Sequence, residues 1–305
     1  MKIFIYFRHV WIVALFMILG FTTIPAEGKG INPETSEKAV QSRELNLWSG
    51  NRTTVRRDYE REVLKEVLRV TNDEYGEWEL IECAEDLHGD DESLVFREFG
   101  HDLTVTTAGN PKFEHERKIM VHKSVMMGIL GYRVLIVREE EAELFANIES
   151  EEELQKLRFG VPYTWTDAGL FRENGYNVVE GGSYEDLFER LHNHEFDFTA
   201  LGANEVENVF DYRKEETEGL VMVDHLLIYY PFPMLFYVNP DEPEVAERIR
   251  KGMKILAERS TLDEIFLKYN GELIDRLNLS DRTVIQLRNP LLPEEMADFE
   301  SSLTN

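Results

Sequence analysis

The chain has one cysteine in 305 residues, Cys83, so it cannot form an internal disulfide. It is also short of positive charge: 33 lysines and arginines stand against 59 aspartates and glutamates, a formal charge of -26. So acidic a surface excludes nucleic acid, whose phosphates need a basic face, and it suits anionic lipid no better. Gly-x-Ser-x-Gly, a Cys/His pair and the phosphate-loop pattern are all missing. Zinc-site spacing is missing too: His192 and His194 are two apart, which puts them on different faces of a helix, and His88, Asp90 and Asp91 form only a loose turn. No metal, cofactor or catalytic residue is expected. There is no internal repeat and no low-complexity tract, and after the first 21 residues no apolar run is long enough to span a bilayer.

What the sequence does have begins with a basic start, Lys2, Arg8 and His9, then an apolar run from Val10 to Phe21 and a small-residue stretch through Ala26 to Gly28. This is the pattern of a secretory signal peptide over residues 1–28, cleaved near Gly28. No cysteine follows the run, so lipid attachment there is excluded and a soluble mature protein, periplasmic or secreted, is expected. Residues 29–43 are polar and aperiodic, a flexible lead. With 43% hydrophobic and 11% aromatic residues, the remainder is a packed globular protein of two lobes.

The stretch Leu157–Val206 alternates strands and helices: Leu157–Val161, Asn177–Glu180 and Phe196–Leu201 as strands, with helices after Thr166 and over Tyr184–His194. That alternation predicts βαβ units and a parallel sheet, whose carboxyl ends carry ligands. Those ends bear Thr164, Trp165, Thr166, Asp167, Asn204 and Glu205. Trp165, outside any apolar periodicity, suits stacking on a ligand, whereas Thr164 and Asp167 equally suit helix caps. Asn204 and Glu205 also fit the cap and first turn of a following helix.

Elsewhere strands are expected at Leu45–Trp48, Trp78–Cys83, Asp102–Thr107, Tyr132–Val137, Leu220–Val223, Met234–Val238 and Val284–Leu287. Helices are expected at Asp58–Val70, Ser150–Leu157 (a capping box with Glu153), Pro243–Arg259 and Thr261–Tyr269. Trp48 and Ser49 close the first strand, Thr106 lies on the third, and Tyr230 follows the strand at Leu220.

Arg117-Lys118-Ile119, Tyr132–Val137, Leu157–Val161, and Met234–Val238 with the two helices Glu244–Arg259 and Thr261–Tyr269 together resemble extracellular solute-binding proteins of amino-acid ABC transporters. The resemblance runs from about Glu44 to Asn289. It implies an α/β, two-lobed periplasmic binding protein type II fold, with two crossover strands as hinge and a small-molecule ligand between the lobes. Lobe one is then 44–130 plus 236–290, lobe two 131–235, and 291–305 a C-terminal tail. It also implies that Arg117 forks onto a ligand carboxylate, that Thr164 and Thr166 hold the same anion at a helix N-terminus, and that an acidic residue after the third lobe-two strand takes the ligand's amine. Glu205 stands a few residues beyond that last position. Two departures stand out: a long charged loop, Gly109–Glu116, precedes Arg117, and bulky rings fill Tyr229–Pro233.

The expected function is an exported monomer that captures a small polar, amino acid-like or otherwise charged solute and closes on it, delivering it to an ABC permease. The alternatives are a ligand-sensing partner of a separate membrane receptor, or a dehydratase-like enzyme on the same fold with Glu205 as acid or base.

Overall fold

A computed structural model describes residues 43–301 and 303. The expected signal peptide and all of the lead except Arg43 lie outside the described residues. In chain order the elements are β1 (Arg43–Trp48), α1 (Thr54–Val70), α2 (Asn72–Tyr75), β2 (Trp78–Cys83), β3 (Leu103–Thr107), β4 (Ile119–Val121), β5 (Tyr132–Arg138), α3 (Ala142–Ala146), α4 (Glu151–Leu154), β6 (Arg158–Val161), α5 (Thr166–Glu173), β7 (Asn177–Glu180), α6 (Leu187–His192), β8 (Thr199–Gly202) and α7 (Val206–Tyr212). They continue with β9 (Leu220–Tyr229), β10 (Met234–Val238), α8 (Pro243–Glu258), α9 (Thr261–Leu277) and β11 (Thr283–Gln286).

Lobe one is built on a sheet of order β2-β1-β3-β10-β4, in which only β10 runs antiparallel to its neighbours. Lobe two holds the order β11-β9-β5-β8, and β6 joins β8 through a parallel bridge at Phe159 and Phe198 and pairs with β7. The βαβ reading of Leu157–Val206 therefore describes the structure. The antiparallel pair β5 and β9 carries the chain between the lobes.

Local chemistry accounts for these elements. Helix α1 starts at Thr54, four residues before the start expected at Asp58, and is capped by Thr53, whose hydroxyl accepts the Arg56 N–H. Its buried stripe, Tyr59, Val63, Leu64 and Val67, packs on Val245, Ile249, Met253 and Leu256 of α8. Gly252 lets the two helices close up: a Cβ there would meet Val67 Cγ1 at 2.5 Å. The Ser150 hydroxyl accepts the Glu153 N–H, as the capping pattern requires, but the Glu153 carboxylate accepts from the Glu149 N–H instead of Ser150's.

Helix α9 runs eight residues past its expected end at Tyr269, because Leu273 and Leu277 continue its buried face; the buried Asn270 before them satisfies its side chain on the Phe266 carbonyl. Strand β9 likewise runs on through the exposed Asp224 to Tyr229. Two placements differ from the lobe boundaries read from sequence. Strand β11, expected with lobe one, pairs in parallel with β9 in the sheet of lobe two. Residues 291–301, expected as a tail, are folded: Met296 is buried with Trp48, Val95, Phe96, Phe113 and Tyr237 in a second apolar cluster of lobe one.

Candidate functional site

The carboxyl ends of β1, β6 and β8 turn toward the junction between the lobes, and their loops meet there. From lobe one come Asn51, Arg52 and Thr53, leading into α1. From lobe two come Thr164, at the entry to α5, and Glu205, at the entry to α7. The Thr53 hydroxyl donates to Glu205 Oε1 at 2.7 Å, a hydrogen bond from one lobe to the other. Glu205 thereby places its charge at the N-terminus of α1, where the helix dipole favours an anion. A second contact brings Gly89 of lobe one against Thr164, and a Cβ on that glycine would meet Thr164 Oγ1 at 2.3 Å.

Behind this contact lie two ion-pair networks. In lobe one Glu60, buried, accepts from Arg52 and Arg56 at 2.8 Å each. Arg52 also donates to Thr104 Oγ1 at 2.6 Å and the Val105 carbonyl at 2.7 Å. Burial lowers the Arg52 pKa against the pull of Glu60, whereas Arg56, also opposed by burial, is raised by Glu60 and by Glu205 across the cleft. At the hinge, Arg133 of β5 pairs with Asp167 at 2.9 Å and donates to the Tyr230 hydroxyl at 2.5 Å. That hydroxyl donates in turn to Asp167. Burial opposes charge on Arg133, but Asp167, Tyr230 and Glu205 together outweigh it and the pKa rises; burial drives Tyr230 well above the usual phenol range. The guanidinium also lies 5.2 Å from the ring centre of Tyr230 and 5.1 Å from that of Phe232.

The residues singled out from sequence fall into three groups. Thr164 and Glu205 stand at the contact between the lobes. Asp167 and Tyr230 are held together at the hinge, with Asp167 committed to Arg133 and not to a cap. Most of the others are satisfied within their own lobes. Trp48 is buried and donates to the Glu85 carbonyl at 3.0 Å, Ser49 donates to Glu82 at 2.7 Å, and Thr106 accepts from Asn110 at 2.8 Å. Trp165 stacks on Tyr184 at 5.9 Å and Thr166 opens α5. Asn204 is buried and its Oδ1 has no hydrogen-bond partner. Arg117 is exposed in the loop before β4.

Three cations not singled out from sequence stand in these networks, Arg52 and Arg56 beside the contact and Arg133 at the hinge. A signal for each was present. Arg52-Thr53 sits where the first strand gives way to a helix, Arg56 and Glu60 share a helical face, and Arg133 is the lone charge within the apolar run Tyr132–Val137. Among the described residues no group of three or more His, Cys, Asp and Glu is arranged to hold a metal ion.

No family model matches the sequence, and no curated protein matches it. Solved structures do. An ancestral arginine-binding protein bound to glutamine superposes with a TM-score of 0.53 at 13% identity, over 75% of this chain and 98% of that one. The extracellular-binding protein of a probable amino-acid ABC transporter from Bacillus subtilis gives 0.53 at 13%, over 76% and 100%. A histidine kinase sensor domain with similarity to periplasmic binding proteins gives 0.52 at 12%, over 75% and 97%. With its two main sheets and the smaller β6-β7 sheet, its paired crossover strands and these likenesses over three quarters of its length, the chain has the two-lobed α/β fold of type II periplasmic binding proteins.

Proposed function

We propose that this chain is an exported solute-binding protein that takes a small polar ligand into the cleft between its lobes and closes on it, without bond chemistry. The observation that carries this reading is the Thr53–Glu205 hydrogen bond. It is an exchangeable polar contact between two loop sets, one of two on this side with the exposed Arg276–Glu207 pair at 2.7 Å, and Glu205 keeps acceptor capacity beyond it. A ligand ammonium or amide can replace the Thr53 hydroxyl on Glu205, and a ligand anion can sit at the N-terminus of α1 beside Arg56. Closure then follows from the ligand's higher affinity for the state in which both lobes touch it.

Delivery to an ABC permease is the use we favour, in line with the Bacillus subtilis binding protein that shares the fold. The histidine kinase sensor domain on the same fold supports a second use, presentation of the ligand-bound state to a separate membrane receptor.

Thermal shift with amino acids, small dicarboxylates, polyamines and short peptides tests the reading. A ligand at 100 times its Kd stabilises by about 2.7 kcal/mol, a readable rise in Tm. The shift is expected to shrink or vanish in Glu205→Gln. A ligand that shifts Tm equally in both proteins would place its site elsewhere, and the absence of any shift would refute cleft binding.

A further inference from the structure

The C-terminal segment adds connections between the lobes beyond β5 and β9. After α9, which packs on α1 and α8 in lobe one, the chain crosses to lobe two and forms β11 beside β9. It then returns. Arg288 exchanges two hydrogen bonds with Asn174 at the end of α5 in lobe two: its N–H donates to Asn174 Oδ1 at 3.0 Å and its carbonyl accepts from Nδ2 at 2.7 Å. Asn289 donates to the Pro231 carbonyl in the second crossover at 2.9 Å. The Leu291 carbonyl lies so close to Gly109 of lobe one that a Cβ there would meet it at 1.6 Å, and the φ of +73° at Gly109 is itself one that side chains rarely adopt. Leu292, Met296 and Phe299 then pack into the lobe-one cluster around Trp48 and Phe113. The path ends at the hinge: the Ser301 hydroxyl donates to the Met127 carbonyl at 3.0 Å, and its N–H donates to the Tyr229 hydroxyl at 3.3 Å.

We infer that residues 287–301 form a strap that limits how far the lobes part. Its start is tied to α5 of lobe two through Arg288, its middle to lobe one through Leu291 and Met296, and its end to the hinge through Ser301. The link from Arg288 to Leu291 is too short to take up slack, since a residue extends by about 3.3–3.6 Å at most. Any movement of the lobes that carries Gly109 away from Asn174 must therefore stretch this link, peel β11 from β9 or lift Met296 from its cluster. The restraint follows from chain topology alone and holds whether or not a ligand enters the cleft, so it stands apart from the binding proposal.

The experiment measures the distance between the lobes in the ligand-free full chain. Nitroxide labels at Lys65→Cys on α1 and Glu189→Cys on α6, both exposed, are introduced with Cys83→Ser, and their separation is read by pulsed dipolar spectroscopy. One variant inserts a flexible Gly/Ser segment of about ten residues after Arg288, which leaves every anchor in place and only lengthens the link. The second, Met296→Ala, weakens the lobe-one anchor.

A strap predicts that both variants shift the distance distribution to longer values and broaden it, with the insertion having the larger effect. An unchanged distribution in the folded insertion variant overturns the inference, because a segment that merely covers lobe one is indifferent to the length of its link. If the insertion variant fails to fold, Met296→Ala decides: a longer mean distance supports the strap, and a lower Tm at an unchanged distance refutes it.

Discussion

The two sides of the lobe junction are built differently. On the cleft side, the loops after β1 and β2 meet lobe two through the Thr53–Glu205 hydrogen bond and the Gly89–Thr164 packing contact. On the hinge side, a buried Arg133–Asp167–Tyr230 network ties the start of α5 to both crossover segments, and residues 287–301 add further anchors. A few exchangeable contacts face a dense set of buried ones. A hinge needs that asymmetry: the cleft side must part at low cost while the other side keeps its geometry.

The sharpest way to break the comparison is to remove Asp167. Its carboxylate and the Arg133 guanidinium are both nearly inaccessible, with side-chain exposures of 8% and 5%. Truncating one partner leaves the other charge buried and unpaired, which costs about 3–5 kcal/mol. Asp167→Ala is expected to lower stability by that order in chemical denaturation. It should also loosen the attachment of α5 to the hinge. A change under about 1 kcal/mol, the size of an exposed pair, would mean that water reaches the network and that the hinge side is no firmer than the cleft side.

A charged pair inside one lobe provides the control. Asp197 accepts the Arg158 N–H at 2.7 Å and pairs with its guanidinium at 2.7 Å, fastening the start of β6 to the approach to β8. Burial pushes the Asp197 pKa upward, but Arg158 outweighs it through its side-chain and backbone hydrogen bonds, and the carboxyl is held below its ordinary value. A group with a depressed folded pKa binds fewer protons in the folded state than in the unfolded one. Its contribution is therefore complete above the ordinary aspartate range, near 3.9, and is lost as pH falls through the lower folded value. Asp197→Asn is expected to cost about 1.5–3 kcal/mol near pH 7, less where solvent screens the partly exposed Arg158, and to flatten the acid limb of a stability–pH curve. An acid limb as steep as wild type would assign the pH dependence to other carboxylates.

The legibility of the molecule follows the same division. Strands and helices with clear periodicity, such as Leu157–Val206 and Pro243–Glu258, were readable because burial on one face imposes the pattern. The polar loops at the ends of β6 and β8 were readable as a shared edge for a topological reason, since parallel strands direct their carboxyl ends to one edge, and Thr164 and Glu205 meet lobe one there. Partner choice was not readable. Nothing local distinguishes Asp167 as a cap from Asp167 as the partner of Arg133, which lies 34 positions earlier in the chain and meets it only through the hinge. The C-terminal segment was misread for a similar reason. Pro290 and Pro293 signal irregular backbone, and irregular backbone says nothing about which surface it crosses.

The smallest expected effect probes the cleft side directly. Thr53 has two roles: its hydroxyl caps α1 by accepting the Arg56 N–H at 3.4 Å, and it donates to Glu205 at 2.7 Å. Thr53→Ala therefore loses a cap, typically about 1 kcal/mol, together with a hydrogen bond of about 0.5–1.5 kcal/mol. Only the second concerns the lobes, so the single variant cannot isolate it. A double-mutant cycle with Glu205→Ala can, because the cap persists or is lost independently of Glu205. The expected coupling is about 0.5–1 kcal/mol without ligand, small enough for thermal motion to break the contact often. With a cleft ligand bound it should fall toward zero, since a ligand that takes over Glu205 leaves Thr53 nothing to lose. A coupling that survives saturation would show that the ligand leaves this contact intact. Glu205 would then be a fixed latch between the lobes, and the ligand-facing acceptor would have to be sought among other groups of lobe two.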